Sequence, residues 1–120
     1  MSWSGVARFD LLPVDRGVAA LVGDHAVAVF RLHDGEVRAI DHVDPCTGVP
    51  VLARGIIASV GRRVVVTSPL HKQRFDLRTG ECLDDPTVRV RTWPVLVVDG
   101  NVVIVEDTGT GPGGRASVVT

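Results

Sequence analysis

The stretch of sequence that decides the fold is residues 67–80, which read Thr67-Ser68-Pro69-Leu70-His71-Lys72-Gln73-Arg74-Phe75-Asp76-Leu77-Arg78-Thr79-Gly80. Pro69 cannot donate a hydrogen bond within a β-ladder, so we expect the first part of the stretch to be a loop. In the second part, the apolar Phe75 and Leu77 alternate with charged residues, which is the period of a half-buried strand. The stretch therefore predicts a loop that leads into a short strand and then into a turn at Thr79-Gly80.

Turn-forming dipeptides between short apolar runs predict antiparallel hairpins elsewhere in the chain. Asp34-Gly35 and Asp99-Gly100 each separate two such runs, and Asp-Gly is a strong short-range hairpin signal. No window of a dozen residues sustains the apolar period of a helix. We therefore expect an all-β protein, an antiparallel β-sandwich or small barrel of about nine short strands, with loops at residues 41–49 and 67–73.

The composition supports one compact domain of this class. The 120 residues are 45% hydrophobic and 22% charged, and valine, which favours strands, occurs 24 times against nine leucines and four isoleucines. The C-terminal end differs, because the segment beginning at Asp107 is rich in glycine and contains few apolar residues. We expect a domain at residues 1–106 and a flexible tail at residues 107–120, since burial in the tail does not repay the cost of ordering it.

Several classes of function are excluded by the sequence. The longest apolar runs are far below the ~20 residues that a membrane-spanning helix needs, and the N-terminus lacks the features of a secretory signal. We therefore expect a cytoplasmic protein with no membrane contact. Eight basic and four acidic residues give residues 54–91 a net charge of +4, but the whole chain has a net charge of −1, which argues against nucleic-acid binding. No Gly-x-Gly-x-x-Gly motif follows a strand, so we expect no dinucleotide-binding site in this chain.

The two cysteines, Cys46 and Cys82, leave three possibilities open. Two thiols can form one disulfide, stay free, or contribute to a metal site. In a reducing compartment a structural disulfide is not expected, so we predict that both thiols stay reduced.

Two segments resemble the loops that hold the iron–sulfur cluster of Rieske proteins. Residues 37–51, which include Asp44-Pro45-Cys46-Thr47-Gly48, resemble the first loop and the strand before it, and residues 67–80 resemble the second loop. The resemblance continues to the Asp99-Gly100 hairpin and covers residues 3–106 in the order of its elements. A Rieske [2Fe-2S] centre takes two Cys and two His from two such loops. The resemblance therefore implies a Rieske-like fold.

Three of the four ligand positions implied by the resemblance carry the wrong residue. Asp44 and Ser68 stand where the two Cys ligands would be, Cys46 stands at a His position, and only His71 matches. A lone imidazole beside a misplaced thiol cannot hold the cluster, so we expect no cofactor or metal in this chain. Zinc held by Cys46, His71, Asp44 and His42 is a weaker alternative, because no Cys-x-x-Cys or His-x-x-x-His spacing supports it.

Short sequence motifs in and around these loops resemble those of the small subunit of the assimilatory NAD(P)H-dependent nitrite reductase. The most specific are Arg54-Gly55 and the stretch from Ser68 to Leu77. The resemblance implies a cytoplasmic accessory subunit of nitrate assimilation that is not catalytic alone. It also implies a large subunit that carries FAD, an iron–sulfur cluster and siroheme, and that uses NAD(P)H to reduce nitrite to ammonium.

Two other interpretations stay open. The first is a Rieske-type ferredoxin, an electron-transfer protein, which the absence of Cys at Asp44 and Ser68 argues against. The second is a free-standing regulatory binding module on the same fold. A gene for the large subunit next to the gene for this chain would distinguish that module from an accessory subunit.

The resemblance also predicts which surface binds the partner. In Rieske proteins the two loops form the exposed tip through which electrons leave, so a chain that keeps the tip is expected to keep its docking role. A basic tip would suit an acidic surface on the partner. We expect contacts with the large subunit from Arg54, Lys72, Gln73 and Arg74, with a solvated turn as the alternative.

Overall fold

A computed structural model describes the backbone of residues 2–106 and 116–119, together with the side chains of residues 5–105. This part of the chain contains eleven strands and two short 3-10 helices. The 3-10 helices span Phe9–Leu11 and Leu52–Arg54, and none of the described helices is long and apolar enough to cross a membrane. The strands are β1 (Ser2–Arg8), β2 (Arg16–Val22), β3 (His25–Arg31), β4 (Val37–Asp41), β5 (Ile56–Val60), β6 (Arg63–Thr67), β7 (Arg74–Asp76), β8 (Thr92–Trp93), β9 (Val95–Val98), β10 (Asn101–Glu106) and β11 (Ala116–Val119).

The strands form three antiparallel sheets with the orders β1-β10-β9, β11-β2-β3-β4-β8 and β5-β6-β7. The predicted hairpins are present, because β3 pairs with β4 across Asp34-Gly35 and β9 pairs with β10 across Asp99-Gly100. Both of these glycines have a positive φ, which tight hairpin turns require. The prediction of an all-β antiparallel fold is confirmed.

Two of the strands lie beyond the nine that the sequence predicts. β8 has only two residues, too few for an alternating pattern to be visible, and it forms because Thr92 and Trp93 pair with Ile40 and Ala39. β11 lies within the predicted tail and pairs with β2. The rest of that tail, residues 107–115 and 120, lies outside the described residues, so the domain boundary at residue 106 stays a prediction.

The central strand β3 separates two hydrophobic cores. Val27, Ala28, Val29 and Phe30 are all fully buried, which is expected only of a strand that is covered on both faces. Val27 and Val29 pack toward β10, among Val102 and Ile104, whereas Ala28 and Phe30 pack toward the third sheet. Burial of each large apolar side chain contributes roughly 1.5–3 kcal/mol. We call the core that contains Ala28 and Phe30 the second core. It also includes Leu32, Ile40, Leu52, Val66, Phe75 and Leu77.

The first predicted loop leads from the five-stranded sheet to the sheet β5-β6-β7, and the second connects two neighbouring strands of that sheet. We call residues 42–54, which follow β4, loop 1, and residues 68–73, which connect β6 to β7, loop 2. Loop 1 folds back against β2 at Gly17, where a Cβ atom would overlap the carbonyl oxygen of Ala53. Only glycine permits this approach, which holds the C-terminal end of loop 1 against the second core.

Candidate functional site

Asp44 is the centre of the hydrogen bonds within loop 1. Its backbone N–H donates to the carbonyl oxygen of Val49 at 2.9 Å, and its own carbonyl oxygen accepts from Thr47 and Gly48 at 3.2 and 2.7 Å. Its side-chain Oδ1 accepts from the backbone N–H of Cys46 at 2.8 Å, an arrangement typical of an Asx-turn. The position of the Asp44 side chain is therefore tied to the shape of loop 1.

Ser68 is likewise the centre of the hydrogen bonds within loop 2. Its backbone N–H donates to the carbonyl oxygen of Gln73 at 2.8 Å, and its carbonyl oxygen accepts from the N–H of Lys72 at 3.1 Å. Its hydroxyl also lies 3.4 Å from the backbone N–H of Leu70. Ser68 thus holds both ends of loop 2.

These two residues bond directly to each other. The hydroxyl of Ser68 donates to Oδ2 of Asp44 at 2.6 Å, and both residues are fully buried. A short hydrogen bond shielded from water is stronger than an exposed one, because solvent does not compete for either partner. The two side chains at the positions of the Cys ligands of a Rieske centre are therefore hydrogen-bonded to each other.

The other two predicted ligand positions are on the outside. Cys46 and His71 are exposed, and within the described residues the His71 side chain has no hydrogen-bond partner. Partial desolvation of its thiol, followed by the nearby Asp44 carboxyl group, raises the pKa of Cys46. The second cysteine, Cys82, is buried, and neither thiol is in a disulfide.

A [2Fe-2S] cluster does not fit this arrangement. Iron–sulfur clusters are held by thiolates, with imidazoles on one iron in Rieske centres, whereas Asp44 and Ser68 offer oxygen atoms that are already bonded to each other. In the part of the chain that the structure describes, no three His, Cys, Asp or Glu residues lie close enough to hold a metal ion. The zinc alternative of Cys46, His71, Asp44 and His42 stays a prediction from the sequence.

His42, the first residue of loop 1, makes hydrogen bonds to the C-terminal part of the loop. Nδ1 of this almost fully buried residue accepts a hydrogen bond from the backbone N–H of Ala53 at 3.1 Å. Its carbonyl oxygen accepts from Val51 and Leu52, each at 3.0 Å. Burial, and then the positive charge of Arg54, lower the pKa of His42. The lowered pKa favours the neutral ring, which can accept the hydrogen bond from Ala53 and so joins the two ends of loop 1.

The structure places the four predicted docking residues in different environments. Lys72 is exposed and has a φ of 62°, a left-handed conformation that few residues other than glycine adopt. Gln73 is half-buried, and among the described residues its side-chain oxygen has no hydrogen-bond partner. Arg74 is already paired with Asp84, which its guanidinium contacts at 2.7 Å and its backbone N–H at 2.8 Å.

Arg54 is the last residue of loop 1. It ends the second 3-10 helix and lines an open surface pocket of about 470 Å³, to which Asp15, Arg16 and Ile56 contribute and loop 2 does not. Lys72, Gln73 and Arg74 thus lie at the end of loop 2 and the start of β7, whereas Arg54 lies at the C-terminal end of loop 1.

The exposed apolar side chains of the two loops were not among the predicted docking residues. Val43, Val49 and Leu70 are between 38% and 45% exposed. They belong to the two loops that the Asp44–Ser68 hydrogen bond joins, and we call them, together with Lys72, the tip. Apolar residues inside segments bounded by proline and glycine were the available signal, since such segments are usually polar.

The sequence matches the Rieske-like [2Fe-2S] domain family over residues 2–105. It is 41% identical over 101 residues to the nitrite reductase (NADH) small subunit of Escherichia coli K12, a match that covers 83% of this chain and 94% of that protein. It is also 38% identical over 100 residues to the nitrite reductase [NAD(P)H] large subunit of Klebsiella oxytoca. That match covers 83% of this chain but only 10% of the much longer relative.

A solved structure agrees with these sequence matches. The crystal structure of a Mycobacterium tuberculosis protein, assigned as an NADH-dependent nitrite reductase small subunit, superposes with a TM-score of 0.83. Sequence identity is 43%, and the superposition covers 85% of this chain and 92% of that one. The chain therefore belongs to the Rieske-like [2Fe-2S] domain family and, within it, to the nitrite reductase small subunits.

Proposed function

We propose that this chain is the accessory subunit of a cytoplasmic NAD(P)H-dependent nitrite reductase, which reduces nitrite to ammonium. The observation that carries the proposal is the match to the Escherichia coli small subunit over 94% of its length. A match over nearly the whole of a small protein supports a common role, whereas a shared domain within a longer chain supports only a common fold.

The partner we propose is the nitrite reductase large subunit. In the Klebsiella oxytoca relative, a domain similar to this chain is part of the large-subunit polypeptide itself. A covalent link keeps two parts at a high effective concentration, so a weak contact between them is sufficient. In the separate chain, the same contact has to be made by a surface with enough affinity of its own.

We infer from the side chains of this chain which subunit carries the cofactors. The positions of Asp44 and Ser68 do not suit a cluster, and the sequence has no dinucleotide-binding motif. We therefore assign FAD, the iron–sulfur cluster, siroheme and the NAD(P)H site to the large subunit, and assign binding alone to this chain. Iron and sulfide analysis of the purified chain distinguishes this assignment from a ferredoxin, which would contain stoichiometric iron.

The surface we propose for docking is the tip. Val43, Val49 and Leu70 supply exposed apolar area, and Lys72 supplies a positive charge beside them. Protein interfaces commonly have an apolar centre with charged groups at the rim, where charge mainly tunes the association rate. Arg74 contributes less than Lys72 in this arrangement, because its guanidinium is already paired with Asp84.

The proposal is tested by assembling the complex from purified parts. The large subunit from the same organism is mixed with this chain, and nitrite-dependent NAD(P)H oxidation and ammonium formation are measured. We expect no activity from this chain alone, a stable complex with the large subunit, and a change in the activity of the large subunit on binding. Absence of any complex over a range of salt concentrations would contradict the proposal.

The docking surface is tested with variants of exposed residues. We expect Leu70→Ser to raise the Kd for the large subunit about tenfold or more, as loss of a central apolar contact does. Lys72→Glu combined with Arg74→Glu should raise the Kd less, and its effect should weaken with salt. Arg89→Glu is the matched control, because Arg89 is exposed outside both loops. Loss of assembly in that control alone would place the interface around Arg89 instead of at the tip.

A further inference from the structure

We propose that Asp44 and Ser68 are positioning residues for the tip, and that their hydrogen bond holds the two loops together at the place where a metal cluster does so in Rieske centres. This inference rests on the proposed docking function. It assigns a role to two buried polar residues whose side chains are out of reach of any partner.

The first observation is that the two loops have no second polar connection. In the described structure, where loops 1 and 2 are complete, the Ser68–Asp44 contact is the only hydrogen bond or ion pair between residues 42–54 and 68–73. Apolar packing does not fix one relative position of two loops as tightly as a short directional bond does.

The second observation is that each partner controls the shape of its own loop. Asp44 makes hydrogen bonds to four residues of loop 1, and Ser68 makes hydrogen bonds to Leu70, Lys72 and Gln73 in loop 2. A shift of either side chain therefore moves its loop, including Val49 on one side and Leu70 on the other. A bond between these two centres couples the exposed groups of both loops.

The third observation is the burial of the pair. Both residues are fully buried, so water cannot replace the hydrogen bond when one partner is removed. The remaining polar group then gains by moving toward solvent, which opens the loops. Removal of both partners leaves no such unsatisfied group, so the effects of the two single substitutions should not add.

The test uses hydrogen exchange in the whole isolated chain. We expect Ser68→Ala and Asp44→Ala each to raise the exchange rates of the backbone amides of Cys46, Gly48 and Lys72 at least tenfold. The amides of β3 should keep their protection. Ser68→Thr, which keeps a hydroxyl, should exchange more slowly than Ser68→Ala, and the double alanine variant should exceed neither single variant by much.

Binding to the large subunit supplies the second measurement. We expect the Kd of each single alanine variant to rise about tenfold, with circular dichroism unchanged. Unchanged loop exchange, or global unfolding of both variants, would overturn the inference. Faster loop exchange with an unchanged Kd would also overturn the positioning role. In that last case the Leu70→Ser result separates the two proposals, because the docking surface itself is wrong only if that variant also binds normally.

Discussion

The backbone N–H of Lys72 donates a 3.1 Å hydrogen bond to the carbonyl oxygen of Ser68, and this bond closes a turn in which Lys72 has a φ of 62°. A left-handed conformation costs an L-residue about 1–2 kcal/mol relative to the right-handed region. The chain thus keeps a charged side chain, at some cost in stability, at the exposed end of loop 2. Backbone strain of this kind is often found at functional sites.

Replacement of Lys72 by glycine should separate stability from binding. We expect Lys72→Gly to change the free energy of unfolding by less than about 1 kcal/mol, because relief of the strained φ offsets the entropy that glycine loses on folding. The same variant should bind the large subunit more weakly. Urea unfolding measures the first effect and titration with the large subunit the second. Lys72→Ala is the control, since it removes the charge and keeps the strain, and it should be less stable than Lys72→Gly.

The stability of the domain should depend on the protonation of His42. Burial and Arg54 lower the pKa of His42 in the folded protein below the ordinary value of 6.5. Between the folded and unfolded pKa values, the unfolded chain binds more protons, so the free energy of unfolding should fall as the pH drops below about 6.5. Protonation of Nδ1 would also break the hydrogen bond from Ala53.

The control for this prediction is His42→Asn, whose side-chain oxygen can accept the same hydrogen bond without titrating. Urea unfolding at several pH values between 5 and 8 should show a slope for the wild type, at most about 1.4 kcal/mol per pH unit, that the variant lacks. The same slope in both proteins would mean that His42 is not the titrating group.

A pair of glycine variants tests the packing of the turn that follows β7. Gly80 follows β7 with a φ of 82°, and a Cβ atom there would overlap the carbonyl oxygen of Val90. Gly35 has a φ of 90° and no atom near the position of a Cβ. Gly35→Ala should therefore cost only the conformational term of about 1–2 kcal/mol, whereas Gly80→Ala should cost about 4 kcal/mol or more. Equal urea midpoints for the two variants would contradict this packing.

Much of the architecture follows from local sequence signals. Asp34-Gly35 and Asp99-Gly100 predict their hairpins correctly, because an Asp-Gly turn is specified by the conformational preferences of two residues. The loop around Pro69 is also predicted correctly. The two-residue strand β8 is not, because its pairing with β4 depends on residues about fifty positions earlier in the chain.

The candidate site was harder to predict for the same reason. The sequence places Asp44 and Ser68 at equivalent positions of two facing loops, but their hydrogen bond joins residues that are 24 positions apart. The pairing of Arg74 with Asp84 is likewise a tertiary contact, and it leaves Lys72 as the free cation of the predicted Lys72-Gln73-Arg74 group in the described structure.

The two native cysteines report on the tip without any substitution. Cys46 is exposed in loop 1, and Cys82 is only 5% exposed. In the isolated folded chain, iodoacetamide should modify Cys46 and spare Cys82. Because the pKa of Cys46 is raised, the rate should still be increasing well above neutral pH, since only the thiolate reacts. Peptide mass spectrometry gives the rate at each cysteine.

The most direct measurement is the same alkylation in the complex with the large subunit. We predict that binding slows the modification of Cys46 at least tenfold, because the partner covers the tip. A Ser59→Cys variant supplies an exposed thiol on β5 as the control, and that thiol should react at the same rate in the free and bound protein. Protection of the thiol at position 59 with an unchanged rate at Cys46 would contradict docking through the tip.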